Sequence, residues 1–70
     1  MLTIRKFAEL ADTTRRTLLY YDKQGLFKPA KVAENGYRYY NYDQLYDLTF
    51  ILELRKLGLS VLQIKNLLNA

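Results

Sequence analysis

The sequence predicts a mainly α-helical single domain of about four helices carrying a small two-stranded β-hairpin, and three observations support that reading. Four stretches place apolar residues at helical spacing, each behind residues that favour N-caps. Gly25 and Gly58 stand where two of those stretches should stop. Between the second and third stretches, Val32 and Tyr37-Arg38-Tyr39-Tyr40 are strand-prone and flank Glu34-Asn35-Gly36, whose Asn-Gly pair signals a two-residue hairpin turn.

Taken in order, Thr3 caps a first short helix with Ile4, Phe7, Ala8 and Ala11 on one face and Arg5, Lys6 and Glu9 on the other. Asp12-Thr13-Thr14 favours a turn and an N-cap, and Arg15 to Tyr21 follows with Leu18 and Tyr21 on a shared side. This is helix, tight turn, helix over about residues 3–22. Gly25 closes the second helix in a left-handed cap, with Leu26 or Phe27 packing back on it, and Pro29 commits the chain to extended structure.

The hairpin, or wing, occupies about residues 28–41. Strand alternation sends Tyr37 and Tyr39 one way and Arg38 and Tyr40 the other, so at least one tyrosine, Tyr39 or Tyr40, belongs to the core. Asn41 followed by Gln44 resembles a capping box opening a helix over about residues 42–57, and Ser60 with Gln63 repeats it for a last helix bearing Val61, Ile64 and Leu68. Together these form a helix pair over about residues 42–70. Leu54, Leu57, Leu62 and Leu67 add apolar surface beyond one stripe, for either a fully used core or a partner.

Composition narrows the function. Seventy residues make one domain with no room for a separate effector pocket. Charges interrupt every apolar run well before the roughly 18 residues of a membrane span, and there is no signal peptide. Without cysteine or histidine the chain lacks disulfides, thiolate metal sites and the commonest general base, so no catalytic residue, metal or cofactor is expected. Asp43 and Asp47 read as surface compatible with the helix dipole, not as a cation pair.

The charge is unevenly placed. Arg5, Lys6, Arg15, Arg16, Lys23, Lys28, Lys31 and Arg38 face only Glu9, Asp12, Asp22 and Glu34 within residues 1–42, whereas acids and bases balance in residues 43–70. The net charge of +4 therefore sits in the first part, as a polyanion binder requires, although charge alone equally fits a basic solvated surface.

The second helix is the candidate reader because two arginines and two threonines stand at its N-terminal end, the end that meets base edges in a helix-turn-helix. Arg15 or Arg16 can donate to guanine O6 and N7, and Thr13 or Thr14 to a phosphate or base. The plainer alternative makes Thr14 only a cap and leaves the arginines to solvent. Tyr37 and Arg38 on the wing, with Lys31 on the opposite arm, combine phosphate-seeking cations with amphipathic rings.

The order Thr17-Leu18-Leu19-Tyr20-Tyr21-Asp22, Gly25-Leu26, then Glu34-Asn35-Gly36-Tyr37-Arg38-Tyr39-Tyr40 resembles the DNA-binding domain of MerR-type transcription regulators. Ile4 with Phe7-Ala8, Leu54-Arg55-Lys56-Leu57-Gly58, and Ile64 with Leu67-Leu68 extend the resemblance over nearly the whole chain. It implies a winged helix-turn-helix whose reader spans Thr13 to Tyr20, with Tyr20 on a phosphate and Tyr37 and Arg38 as wing contacts. It also implies a cytoplasmic bacterial dimer, associated with the nucleoid when bound, that distorts double-stranded promoter DNA and so reaches RNA polymerase indirectly.

Three positions depart from the family pattern. Asp12 stands at the usual glycine of the helix-helix turn, Leu19 replaces an arginine that commonly contacts phosphate, and the segment from Pro29 to Gly36 is one residue longer, leaving Lys31 as the substitute wing cation. Family members continue into a long dimerising helix where this chain ends, which predicts a domain of a longer regulator that is largely monomeric as 70 residues. Competing readings are an excisionase-like architectural factor, a protein-interaction module using the leucine-rich last helices, and a single-strand binder, for which a two-stranded wing offers little stacking platform.

Overall fold

A computed structural model of the chain describes residues 1–69. The elements run β1 (Leu2–Thr3), α1 (Ile4–Leu10), α2 (Arg15–Gln24), β2 (Lys31–Val32), β3 (Arg38–Tyr40), α3 (Gln44–Lys56) and α4 (Val61–Leu68). The four predicted helices and the hairpin are all present. Ala70, the last position of the predicted helix pair, lies outside the described residues. Among those residues no helix is long and apolar enough to cross a membrane.

Thr3 opens α1 by accepting a hydrogen bond from the Lys6 amide at 3.2 Å, and Phe7 and Ala8 are buried as the helical spacing required. The chain reverses at Asp12, whose φ of 54° lies in the left-handed region, while the Thr13 amide donates to the Ala8 carbonyl at 2.9 Å. That conformation explains why a glycine suits this turn, since only glycine enters the left-handed region without a steric cost, and aspartate is among the few others that visit it. Thr14 then caps α2, accepting from the Thr17 amide at 3.1 Å. Gly25 ends α2 at φ 74°, the Leu26 amide returns to the Tyr21 carbonyl at 2.9 Å, and both Leu26 and Phe27 are buried.

The predicted two-stranded wing is part of a three-stranded antiparallel sheet in the order β1-β3-β2. Leu2 pairs with Tyr40 and Thr3 with Tyr39 on one side of β3, while Lys31 pairs with Tyr39 and Val32 with Arg38 on the other. Two residues directly before a helix carry no legible period, so β1 exists only through its distant partner. The hairpin turn also differs. The Gly36 amide donates to the Ala33 carbonyl at 2.9 Å and the Ala33 amide to the Tyr37 carbonyl at 2.8 Å, which makes Glu34, Asn35 and Gly36 a three-residue loop. A two-residue Asn-Gly turn of the favoured mirror-image type needs positive φ at both residues, and here only Gly36 has it, at 88°.

α3 starts at Gln44, not near residue 42, because the Gln44, Leu45 and Tyr46 amides bond three residues back, to Asn41, Tyr42 and Asp43, in a tighter first turn. Half of the expected capping box forms there. Gln44 Oε1 accepts from the Asn41 amide at 2.9 Å, and the cap residue supplies no side-chain bond. At α4 the Ser60–Gln63 box is complete. Ile64 is fully buried and Val61 packs beside it, but Leu68, expected on the same stripe, is 46% exposed because it lies in the last turn beyond the reach of the core.

The core binds the sheet to both helix pairs. The Phe7 and Tyr40 rings stack at 4.5 Å between centroids, and Phe27 lies 6.0 Å from each. Leu18, Leu48, Ile51 and Ile64 close it from α2, α3 and α4.

Candidate nucleic-acid interface

The turn at Asp12 and the Thr14 cap present the N-terminal end of α2 at the surface. Arg15 and Arg16 are exposed there, and neither takes part in an ion pair among the described residues. Five N–H donors in a fixed fork suit each to a guanine edge or a phosphate. Thr13 is half-buried in the turn. Thr14 is exposed, yet its oxygen accepts from the Thr17 amide and its hydroxyl donates to Thr17 Oγ1 at 2.9 Å, so capping occupies it. Tyr20 is 50% exposed, whereas the adjacent Tyr21 is buried, which separates the outward ring from the core ring.

On the wing, Lys31 is exposed on β2 and Tyr37 is exposed at the exit of the loop, where its amide donates to Asn35 Oδ1 at 3.1 Å. Arg38 is placed differently from Arg15 and Arg16. Its Nε donates to Asp22 Oδ2 at 2.7 Å, and its side chain is 34% exposed. The other oxygen of the same carboxylate lies 3.4 Å from Lys28 Nζ. Burial by itself raises the Asp22 carboxyl, but the hydrogen bonds and charges of Arg38 and Lys28 outweigh it and hold the group below the ordinary carboxylate value.

Asp22 was not among the predicted site residues. The signal that could have found it is the strand alternation that sets Arg38 and Tyr40 on one side of β3: that side faces the core and α2, where an acid on the last turn can meet the guanidinium. Tyr40 is the core tyrosine of that pattern, fully buried, and its hydroxyl has no hydrogen-bond partner among the described residues. Burial, followed by the nearby Asp22 charge, pushes its hydroxyl up to about 12.

Two further cations stand near Tyr20. A groove of about 410 Å³ runs between α2 and the α3–α4 corner, bordered by Tyr20, Gln24, Arg55, Ser60 and Lys65. Arg55 Nη1 donates to the Leu59 carbonyl at 2.8 Å, and Lys65 Nζ donates to the Gln24 carbonyl at 3.0 Å, locking α4 to the end of α2. Sequence reasoning gave neither residue a role, because their proximity to α2 comes from helix packing.

The interface so described has an exposed helix end, a wing with cations and a basic first half. The family model described as MerR HTH family regulatory protein matches residues 2–70. The transcriptional regulator BrlR of Pseudomonas aeruginosa is 47% identical over 58 residues, covering 81% of this chain and 22% of that protein. The N-terminal part of MtaN, the multidrug transporter activator of Bacillus subtilis, superposes with a TM-score of 0.89 at 30% identity, covering 100% of this chain and 66% of that one. HiNmlR, a MerR family regulator lacking the sensor domain and bound to promoter DNA, superposes with a TM-score of 0.82 at 32% identity, over 94% of this chain and 52% of that one. The chain spans between 22% and 50% of the length of the first curated relatives it matches. A family match that begins at Leu2, together with a fold shared through every element, establishes that this chain belongs to the MerR HTH family of regulatory proteins.

Proposed function

We propose that this chain is the double-stranded-DNA-reading domain of a bacterial transcription regulator and performs no catalysis of its own. The observation that carries the reading is the exposed Arg15 and Arg16 at the N-terminal end of α2, in no ion pair among the described residues, on the same chain as a wing bearing Lys31, Tyr37 and Arg38. α2 enters the major groove, where Arg15 or Arg16 reads a guanine and Thr13 approaches the backbone or a base edge, while Thr14 caps the helix. Tyr20, Tyr37, Lys31 and the Nη edge of Arg38 take phosphates, which set register and supply most of the affinity.

In this reading the domain works in the cytoplasm as one half of a homodimer within a longer protein, and the 70-residue chain by itself is monomeric. Two copies span a pseudo-palindromic promoter and distort it, so RNA polymerase responds to the shape of the DNA. HiNmlR, similar over 94% of this chain and bound to promoter DNA, supports the choice of ligand.

The test is a salt titration of binding to a duplex carrying the native promoter, with a scrambled duplex beside it, using the chain joined to a dimerising helix. Neutralising several phosphates lowers log K linearly with log salt, by about 0.9 per phosphate. Tight binding with that slope and a preference for the promoter is the expected result. No binding at low salt overturns the proposal, and equal binding to both duplexes favours an architectural factor instead.

A further inference from the structure

Asp22 is an acid on the basic half of a domain read as binding a polyanion, and simple electrostatics makes it a handicap there. Its surroundings give it another use. It sits in the last turn of α2 with its side chain only 14% exposed, and it holds cations from two other segments, Arg38 on β3 and Lys28 on the connection leaving α2. The network continues. Gln44 Nε2 donates to the Lys28 carbonyl at 2.8 Å, and Gln44 Oε1 accepts from the Asn41 amide at 2.9 Å. Polar contacts thus run from the reader helix through Asp22 to the wing strand and the first turn of α3.

The wing needs such a tether because its ladders are short, two residues in β2 and three in β3, and arginine is a long side chain with many rotamers. The bond to Nε fixes the plane of the guanidinium and leaves the Nη donors without a partner among the described residues. Lys28, with its side chain 67% exposed, is held on the opposite oxygen.

We propose that Asp22 is a positioning residue for DNA binding: by holding Arg38 Nε and Lys28 Nζ it fixes the cations of the wing relative to α2, so that phosphate meets a guanidinium already oriented. The inference rests on the DNA-binding reading of the wing. It has an unusual consequence, that removing a negative charge from a DNA-binding face weakens binding to DNA.

The experiment is a double-mutant cycle on the 70-residue chain with Asp22→Ala and Arg38→Ala, titrated with a short duplex of arbitrary sequence at low salt, since phosphate contacts do not depend on sequence. Helical circular dichroism and a thermal melt accompany each variant. The expected result is that Asp22→Ala weakens binding about tenfold, the scale of coupling within one ion-pair network, and that the same change in the Arg38→Ala background weakens it clearly less, the remainder acting through Lys28. Asp22→Asn keeps an acceptor for Nε, so it should bind more tightly than Asp22→Ala and carries the test if the alanine variant does not fold.

Binding by Asp22→Ala or Asp22→Asn at or above the parent level, as the loss of a repelling charge predicts, overturns the proposal. An undiminished loss in the Arg38→Ala background also overturns it, because Asp22 then does not act by positioning Arg38. If the parent binds but Arg38→Ala binds equally well, the wing reading fails and this inference with it. A parent that does not bind fails the DNA-binding reading itself.

Discussion

Residues 1–42 enclose the stacked rings of Phe7, Phe27 and Tyr40 and turn an excess of positive charge outward, whereas residues 43–70 enclose Leu48, Ile51 and Ile64 and leave Leu57, Leu62, Leu67 and Leu68 exposed beside balanced charges. Tyr46 is 83% exposed, Leu57 77% and Leu62 65%, on a stretch whose charges balance. Apolar content therefore says little about which side chains form the core. A domain this small has elements enough to cover one side of a 13-residue helix, and the opposite side stays open. The first half has the excess of positive charge that a polyanion binder needs, and the second has leucines that the core leaves uncovered.

The comparison breaks most sharply at the core. Phe7→Ala removes the ring that stacks on Tyr40 at 4.5 Å and should cost about 3–5 kcal/mol, a large part of the stability of a small domain, read from urea or thermal unfolding. If it costs no more than a surface substitution, the aromatic stack is not what holds the first half together.

The reader helix should show the reverse dependence, with a large effect on binding and little on folding. Arg15→Ala or Arg16→Ala, whichever residue meets a guanine, should relax base preference by about 1–3 kcal/mol in competition binding while leaving the thermal midpoint nearly unchanged. A drop in affinity that is equal for every sequence would move both residues from reading to phosphate contact.

Tyr40→Phe isolates a single atom of the same stack. The buried hydroxyl has no partner among the described residues, and removing it should raise stability by about 1 kcal/mol. The pH dependence has a definite sign. The fold favours the neutral phenol, whose value rises from 10.0 to about 12, so this contribution is complete below pH 10 and is lost as pH climbs through that window. The parent should lose stability there faster than Tyr40→Phe, measured by urea unfolding at a series of alkaline pH values. Parallel profiles would mean that the hydroxyl is solvated.

The smallest expected change lies in the second half. Leu57→Lys alters a side chain that is 77% exposed and should shift stability by no more than about 0.5 kcal/mol, while raising solubility in light-scattering measurements. A loss comparable to Phe7→Ala would show that Leu57 packs in solution.

Much of this was legible from local pattern. Thr3, Thr14 and Ser60 cap helices, Gly25 takes the left-handed cap, and Phe7, Ala8, Leu18, Tyr21 and Ile64 are buried, because capping and helical periodicity act within a few residues. Where sequence reasoning went astray, a distant partner decided. β1 forms against β3 and Gln44 turns part of its amide to the Lys28 carbonyl, while the three-residue hairpin loop is a local outcome that Asn35-Gly36 alone does not dictate. The site divides in the same way. The exposed ends of Arg15, Arg16 and Tyr37 follow from local position, while the tie between Arg38 and Asp22 needed the packing of β3 beside α2.

The sequence by itself determined four helices, three of them capped by a side chain, a basic first half and a wing between the second and third helices, since each depends on side chains close in the chain and on charge that no fold can alter. Only the tertiary structure decided which leucines go without cover, that the wing hairpin gains a third strand, and that one wing arginine is held by an acid of α2. Those outcomes depend on contacts between segments far apart in sequence, and their energies exist only once the core has brought the segments together.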